Sequence, residues 1–200
     1  MIKLTQNKVI ALIGMSGAGK TTVSNCFKEN GYTVIDCDIS AREVTMRGCP
    51  ALHELARELS DEIILSDGSL DRKKTAELIF NNAEKRAVFN RIIYPYITYN
   101  VMCKVKYAEN DILLDAPTLY DAKLEGICDH IVSVCADRAL CLERIMNRDS
   151  ISKELAAARL DSQRDKKWFL THSDHCIINN GTKEELIKCA QNIISELKGQ

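Results

Sequence analysis

The residues that most clearly could do chemistry form a glycine-rich run near the amino terminus. The run Gly14-Met15-Ser16-Gly17-Ala18-Gly19-Lys20-Thr21 fits the pattern G-x-x-x-x-G-K-[ST]. It follows an apolar segment, residues 9–13, and precedes a helical pattern, which is the context that a phosphate-binding loop requires. A glycine-rich turn that matches by chance is the alternative, and the strand, helix, lysine and threonine together disfavour it. The run therefore predicts a nucleotide-phosphate site.

The side chains of this run have distinct predicted roles. Lys20 is expected to reach the β and γ phosphates of ATP, and Thr21 is expected to offer its hydroxyl to Mg²⁺. ATP and Mg²⁺ are thus the predicted cofactors. The expected nucleotide contacts, in chain order, are Gly14, Met15, Ser16, Gly17, Ala18, Gly19, Lys20, Thr21 and Thr22.

Other motifs distinguish among the proteins that share such a loop. The sequence has no guanine-reading N-K-x-D pattern. Asp115 ends a predicted strand as a metal-binding acid would, but Ala116-Pro117 follows it rather than Glu. These features disfavour a regulatory GTPase or an ATPase motor.

Charge and cysteine content exclude several kinds of partner. The 27 basic and 28 acidic side chains nearly cancel, so no global field attracts nucleic acid or an acidic membrane surface. The five-residue apolar run 9–13 is far too short for a signal sequence or a membrane span. The nine cysteines form no C-x-x-C pair, which suits a reducing compartment and predicts a cytoplasmic protein. We expect a monomer or a weak homo-oligomer with small-molecule substrates.

The elements that must position the loop alternate between strands and helices. Short apolar runs predict strands at 9–13, 33–35, 112–114, 131–134 and 176–178, and helical patterns separate them. This alternation predicts a single α/β domain with a mainly parallel sheet, whose core comprises about 1–38, 111–146 and 169–200. Between these parts, helical patterns cover 51–59, 72–80 and 84–108, the last broken near Pro95.

Two stretches are too long to be simple crossover connections. Residues 39–110 are interpreted as a helical subdomain that holds a substrate, and residues 147–168, which are polar and basic, as a mobile helical lid. The alternative is that both are elaborations of the fold without a direct role.

Several further motifs, in this order along the chain, resemble the dephospho-CoA kinase family. They are V-I-D-C-D at 34–38 followed by Ala41-Arg42, D-G-S-L-D-R at 67–72, Asp115-Ala116-Pro117 followed by Leu119, Arg144 to Arg148 with Asp149, Gln163, and Asn180-Gly181. The resemblance runs nearly end to end. It implies a three-layer P-loop kinase fold and phosphorylation of the ribose 3′-hydroxyl of dephospho-CoA by ATP, the last step of coenzyme A synthesis.

This sequence departs from the family pattern at three positions. The family usually has His-Pro where this chain has Tyr94-Pro95, a second leucine where it has Thr118, and Glu where it has Asp121. All three departures concern the acceptor side more than the phosphate side.

Two acidic residues flank the end of the second predicted strand, at the sheet edge where α/β proteins bind ligands. The resemblance implies that Asp38 is the base that accepts the proton of the acceptor hydroxyl. It also implies that Asp36 lies nearby as a structural or magnesium-shell partner. Asp38 as the N-cap of a helix starting near Ser40 is the alternative.

Basic residues between the fourth and fifth predicted strands are the candidates for binding the phosphoryl group during its transfer. Arg144 and Arg148 are one helical turn apart and share a face, so two guanidinium groups could converge on one polyphosphate. The family places arginines here, which implies a catalytic role for both. For Arg159 and Arg164, farther along the lid, a solvated basic face is an equally good interpretation.

The remaining candidates lie on the acceptor side. The resemblance places Asp71 and Arg72 in the subdomain that holds the coenzyme-A-like substrate, although Asp71 could merely cap a helix and Arg72 could be exposed. Asp115 ends a buried strand near the phosphate loop and is interpreted either as a residue that supports the ligand-contacting side chains or as an acceptor-site residue. The alternatives to the family assignment are another small-molecule P-loop kinase, acting on a nucleoside monophosphate or gluconate, and an ATP-binding regulatory module.

Overall fold

The computed structural model describes residues 4–80 and 82–199, and a parallel sheet of five strands organises this part of the chain. The order is β2-β3-β1-β4-β5, and every neighbouring pair is parallel. Each strand lies where the apolar runs predicted one, so the predicted α/β class is confirmed. The strands are β1 (Val9–Gly14), β2 (Thr33–Asp36), β3 (Ile112–Asp115), β4 (His130–Cys135) and β5 (His175–Ile178).

Helices cover both faces of the sheet. Successive residues of β1 point to opposite faces, yet Ile10, Ala11, Leu12 and Ile13 are all at most 1% exposed. No helix of the described residues is both long and apolar enough to cross a membrane. The helices are α1 (Lys20–Glu29), α2 (Cys37–Val44), α3 (Pro50–Leu59), α4 (Arg72–Phe80), α5 (Ala83–Lys106), α6 (Arg138–Asp149), α7 (Lys153–Asp161), α8 (Lys166–Thr171) and α9 (Lys183–Gly199).

The predicted break near Pro95 is wrong, because α5 continues through this residue as one helix of 24 residues. A proline in a helix interior lacks one N–H donor and costs about 3 kcal/mol. Helix α5 nevertheless buries a row of apolar side chains against α2, α3 and α4, and this packing outweighs the local preference. Its buried residues are Ile92, Ile93, Ile97, Val101 and Val105.

The sheet register brings the candidate residues to one edge. Asp115 at the end of β3 is paired with Leu12 of β1 on one side and with Asp36 of β2 on the other. The loop after β1, the turn after β2 and the end of β3 therefore meet at the carboxyl edge, where open parallel sheets bind ligands. The helices between β2 and β3 lie beside this edge, and α6 to α8 follow β4. The predicted boundaries include residues 1–3, 81 and 200, which lie outside the described ranges.

Candidate functional site

The glycine-rich loop between β1 and α1 depends on close backbone approaches. Gly14 has φ of 153°, and a Cβ there would lie 2.3 Å from the carbonyl oxygen of Val134. Gly19, which precedes α1, has φ of 106°, and a Cβ there would lie 2.7 Å from Asn179 Nδ2. The N–H of Met15 donates to the Val134 carbonyl at 3.1 Å. The loop is thus held against β4 and the end of β5 in a shape that side chains at these glycines would prevent.

Asn179, which the sequence analysis missed, fixes the loop from the far side. Its Nδ2 donates to the carbonyl of Ala18 at 2.7 Å, and the residue is only 7% exposed. The next residue, Asn180, accepts a hydrogen bond from the N–H of Asp137 at 2.9 Å and so belongs to a different contact. A polar residue directly after β5, at the ligand-binding edge, was the signal that could have revealed Asn179.

A cavity of about 1030 Å³ opens above the loop. Seven of the nine expected nucleotide contacts line it, whereas Ala18 and Thr22 do not. Ala18 is fully buried, and the N–H of Thr22 donates to the carbonyl of Gly19 at 3.1 Å. The seven that line the cavity are Gly14, Met15, Ser16, Gly17, Gly19, Lys20 and Thr21.

Positive charge is concentrated in this cavity although the whole chain has a net charge of −1. Five cationic side chains and two carboxylates of the described residues line it. A cavity with this excess of fixed positive charge favours a polyanionic ligand. The cationic residues are Lys20, Arg86, Arg144, Arg148 and Arg164, and the carboxylates are Asp38 and Asp121.

Lys20 forms an ion pair with the acid at the end of β3. Its Nζ lies 3.0 Å from Asp115 Oδ1, and the two side chains are 20% and 16% exposed, respectively. Asp115 thus lies next to the phosphate loop, although it does not line the cavity. The contact holds the ammonium group at the carboxyl edge of the sheet.

The two acids after β2 are placed differently from one another. Asp36 Oδ1 accepts the N–H groups of Asp38 at 2.7 Å and Ile39 at 3.1 Å, so it caps α2. The alternative that Asp38 caps a helix starting near Ser40 is therefore wrong, since α2 begins at Cys37. A carboxylate that precedes a helix satisfies its first free N–H groups, and here that carboxylate belongs to Asp36. The Asp38 side chain is left to line the cavity.

The environment of Asp38 makes its carboxylate more basic than usual. Burial raises its pKa most, and the negative charge of Asp36 raises it further, while Lys20 lowers it. A carboxylate with a raised pKa, in the same cavity as Lys20, can accept a proton from a hydroxyl near the phosphate site. The same crowding of negative charge would be relieved by a divalent cation.

Arg144 and Arg148 of α6 both line the cavity, as their spacing predicted. Arg144 donates to the Asn179 carbonyl at 3.1 Å and to the Gly17 carbonyl at 3.4 Å. Arg148 donates from two nitrogens to the Asp149 carboxylate at 2.8 and 2.9 Å. Arg144 therefore supports the loop, whereas Arg148 is paired with an acid of its own helix.

The other two basic residues of the predicted lid differ from each other. Arg159 does not line the cavity, and it donates to the Asp149 carboxylate. Arg164 lines the cavity, and its guanidinium lies 5.2 Å from the centre of the Trp168 ring. Arg159 thus fits the alternative of a solvated basic face better than Arg164 does.

Asp71 and Arg72 do not line the cavity. Asp71 Oδ1 accepts the N–H of Lys74 at 2.9 Å at the start of α4, which is the capping geometry of the alternative interpretation. The Arg72 guanidinium donates to the hydroxyl of Thr45, just after α2, at 3.1 Å. In this structure Asp71 caps α4, and Arg72 connects α4 to the end of α2.

Several cavity residues on the acceptor side were absent from the sequence analysis. Arg86 and Asn90 of α5 are four residues apart, a spacing that places them on the same helix face. Trp168 of α8 also lines the cavity, and its ring packs edge-on against Tyr120 at 5.0 Å and stacks on His172 at 4.2 Å. The i, i+4 spacing of Arg86 and Asn90 was visible in the sequence, but nothing local showed which side of α5 faces the site.

The residues near Lys20 suit Mg²⁺ together with a nucleotide. Magnesium is usually held by one or two protein oxygen ligands, substrate phosphates and waters. Thr21 and Asp38 line the same cavity and offer a hydroxyl and a carboxylate. No cluster of three or more His, Cys, Asp or Glu side chains that could bind a metal by itself occurs in residues 4–80 and 82–199.

Comparisons with known proteins point to one family. A family model described as dephospho-CoA kinase matches residues 8–185. A dephospho-CoA kinase of Bacillus cereus is 36% identical over 178 residues, which cover 87% of this chain and 89% of that protein.

Two solved structures share the fold over nearly the whole chain. The crystal structure of TT1252 from Thermus thermophilus has a TM-score of 0.81 at 26% identity and covers 96% of this chain and 99% of that one. A dephospho-CoA kinase from Campylobacter jejuni has a TM-score of 0.65 at 22% identity, with coverage of 96% and 98%. The second structure, at this identity, supports the fold alone.

Proposed function

Because the chain belongs to the dephospho-CoA kinase family and is thus an ATP-dependent P-loop kinase, we propose that it phosphorylates the ribose 3′-hydroxyl of dephospho-CoA. The products are coenzyme A and ADP. One observation carries this proposal, namely that Asp38 and the phosphate-loop residue Lys20 line the same cavity. A base for the acceptor and a cation for the donor are thereby available within one site.

The phosphate loop performs the binding part of the reaction. Its backbone N–H groups and the amino terminus of α1 attract the inner phosphates of ATP, and Lys20 neutralises charge on the outer ones. Phosphate oxygens compete with Asp115 for the Lys20 ammonium, which needs only to turn away from the end of β3. Arg144 keeps the loop in place through its bonds to two carbonyls.

Asp38 performs the proton transfer. As the acceptor oxygen forms its bond to the γ phosphorus, its proton moves to the Asp38 carboxylate, and the bond from phosphorus to the bridging oxygen of ADP breaks. The raised pKa of Asp38 brings its basicity closer to what this transfer needs. Asp36 serves as its support, because the cap on α2 fixes the backbone that carries Asp38.

We further propose that Mg²⁺ accompanies ATP and that the Thr21 hydroxyl is its protein ligand. When bound, the ion neutralises charge on the phosphates during transfer. A single hydroxyl ligand suits an ion that keeps several waters and binds phosphate oxygens.

The acceptor occupies the part of the cavity between α5 and the lid in this proposal. Arg86 and Asn90 line it from one side, and Arg164 and Trp168 line it from the other. The guanidinium groups suit the pyrophosphate of dephospho-CoA, and the aromatic ring suits a base or another flat group. The helices of residues 39–110 then hold the acceptor, and residues 147–168 act as the lid.

Arg148 contributes when the lid closes. Its guanidinium is bound to Asp149 in this structure, and the two side chains are 59% and 24% exposed. The Arg148 side chain is more than half exposed, so phosphate can reach its guanidinium and replace Asp149 as the partner. We propose that, after this exchange, Arg148 contacts the phosphate oxygens on which negative charge develops during transfer.

A coupled assay of ADP release tests the proposed acceptor. Dephospho-CoA is compared with nucleoside monophosphates, gluconate and shikimate at equal concentration, with ATP and Mg²⁺ in excess. The proposal expects turnover with dephospho-CoA to exceed that with every other acceptor by at least about 10³-fold, because a site built for one acceptor leaves polar groups unpaired with another. Preferred turnover with any of the other acceptors would refute it.

Two further properties are part of this proposal. We propose a cytoplasmic location, since the nine cysteines are free thiols that suit a reducing compartment. We also propose a monomer or a weak homo-oligomer, because a single chain supplies the loop, the base and the lid residues of one cavity.

A further inference from the structure

Gln163, which lies between α7 and α8, links the lid to the phosphate loop. The N–H of Ser16 donates to Gln163 Oε1 at 3.0 Å. A backbone N–H needs an acceptor, so this contact fixes the orientation of the side-chain amide, with its oxygen towards the loop. The opposite end of the amide, Nε2, must then point elsewhere.

The amide nitrogen of Gln163 has no hydrogen-bond partner among the described residues, although it is buried. Buried amide groups in folded proteins nearly always have a partner, so an unpaired one indicates a missing acceptor. Gln163 lines the cavity together with Arg144 and Arg148, which are themselves donors. A ligand with acceptor oxygens can supply the missing acceptor from the cavity, and phosphate oxygens are acceptors only.

We infer that Gln163 is a phosphate-contacting residue of the lid, which donates from Nε2 to the terminal phosphate of ATP while Oε1 remains bonded to Ser16. The inference rests on the proposed function for the identity of the nucleotide. The start of α1 attracts the inner phosphates, so the terminal phosphate, which ATP has and ADP lacks, lies towards Lys20 and the lid residues that line the same cavity. The hydrogen bond from Gln163 therefore connects the lid to the nucleotide only when a terminal phosphate is present.

A competing explanation predicts the opposite change in ATP affinity when the Gln163 amide is removed. If Gln163 only occupies the Ser16 N–H until phosphate displaces it, then removing the amide frees a donor of the loop, and ATP binds more tightly. If Gln163 is a bridge, removing the amide weakens ATP binding and leaves ADP nearly unaffected. Nucleotide affinities of substituted proteins therefore separate the two explanations.

The experiment uses two substitutions with different consequences. Gln163→Met removes both hydrogen bonds at similar volume, and Gln163→Glu keeps an acceptor for Ser16 but replaces the donor with a negative charge. Gln191→Glu, on the exposed face of α9, is the matched control for the added charge. Binding of ADP and of a non-hydrolysable ATP analogue is measured by calorimetry, with Mg²⁺ and without an acceptor.

Trp168 supplies an independent signal, because it is the single tryptophan of the sequence and lines the cavity from α8. We expect Gln163→Met to weaken binding of the analogue by about 10- to 100-fold, as for a hydrogen bond to a charged group, with ADP changed by less than about threefold. Gln163→Glu should weaken it more. The fluorescence difference between the two nucleotides should shrink in both variants and persist in the control.

Several outcomes would overturn the inference. These are an equal loss of affinity for both nucleotides, an unchanged affinity for the analogue, or a tighter one in Gln163→Met, with thermal melting confirming the folded state of each variant. The measurement needs no acceptor. If the protein fails to phosphorylate dephospho-CoA but the affinities follow the expected pattern, the proposed acceptor is wrong and the role of Gln163 stands.

Discussion

The two sides of the cavity are built in different ways. On the phosphate side, the loop is fixed by short, buried bonds, such as the one of 2.7 Å from Asn179 to the Ala18 carbonyl. On the proposed acceptor side, the charged residues form exposed pairs, such as Arg164 with Asp121 at 3.8 Å, whose side chains are 59% and 51% exposed. The first arrangement keeps its shape without a ligand, whereas the second can exchange partners.

This difference indicates how binding and catalysis are divided between the two sides. A rigid loop loses little conformational freedom when phosphate binds, which favours affinity for ATP. Exposed ion pairs contribute little to stability, so acceptor and phosphate can displace them at small cost. Substitutions on the phosphate side should therefore affect all nucleotide chemistry, and those around the lid should affect transfer more selectively.

The largest expected effect comes from Lys20→Ala on the phosphate side. Turnover should fall by more than about 10³-fold, because the charge on the outer phosphates loses its fixed cation. Steady-state kinetics with saturating ATP measures this. A kcat close to that of the unchanged protein would contradict the assignment of the loop.

The control for Lys20→Ala is Asp115→Asn, which breaks the same 3.0 Å ion pair from its other partner. Both variants should lose a similar, small amount of thermal stability. Only Asp115→Asn should bind ATP with an affinity close to that of the unchanged protein, because it retains the cation for phosphate. Loss of ATP binding in both would mean that the ion pair, not the phosphate contact, explains the effect.

The next largest effect is expected for Asp38→Asn, where the two sides meet. The substitution keeps the size of the side chain and removes its basicity. General-base assistance is typically worth about 10² to 10⁴ in rate, so kcat should fall by that factor while ATP binding persists. Retention of more than about a tenth of kcat would direct the search for the base to another residue.

A smaller effect is expected for Thr21→Ala. Loss of one hydroxyl ligand should reduce turnover by about tenfold at low Mg²⁺, in line with the loss of one polar contact. Higher Mg²⁺ should restore part of the rate, since the phosphates that bind the ion remain. A rate that does not respond to Mg²⁺ in either protein would refute the role of Thr21.

The smallest effect is expected for Asp36→Asn, and it concerns pH. The variant keeps a capping oxygen, and Asn caps helices about as well as Asp, so α2 should remain stable. Asp38 acts as a base above its pKa and loses activity as the pH falls through it. Removing the negative charge of Asp36 lowers the pKa of Asp38, so the acid limb of the kcat profile should move to lower pH. An acid limb that moves to higher pH would contradict this account.

Prediction from sequence succeeded where function depends on local chemistry. The residues of the loop motif are contiguous, and each strand corresponds to one apolar run, so no distant part of the chain is needed to locate them. Both were located to within about a residue or two. Helix α5 was harder, because the penalty at Pro95 is local, whereas the burial of Ile92 and Ile97 that offsets it depends on distant helices.

Prediction failed where residues meet only through the fold. Asn179 and Ala18 are 161 positions apart, and Arg86 reaches the cavity only because α5 packs beside the carboxyl edge of the sheet. The alternative that Asp38 caps a helix was wrong for a different reason. Either acid could cap α2 from its position in the sequence, and the actual start of the helix at Cys37 decided between them.

The position of the new phosphate on the product shows whether the ribose 3′-hydroxyl is the acceptor. Dephospho-CoA is incubated with ATP, Mg²⁺ and the protein, and the product is analysed by phosphorus and proton magnetic resonance. We expect one additional phosphate monoester, coupled to the ribose 3′ proton, with one ADP formed for each. A phosphate on any other hydroxyl, or ADP formed without a phosphorylated acceptor, would contradict it.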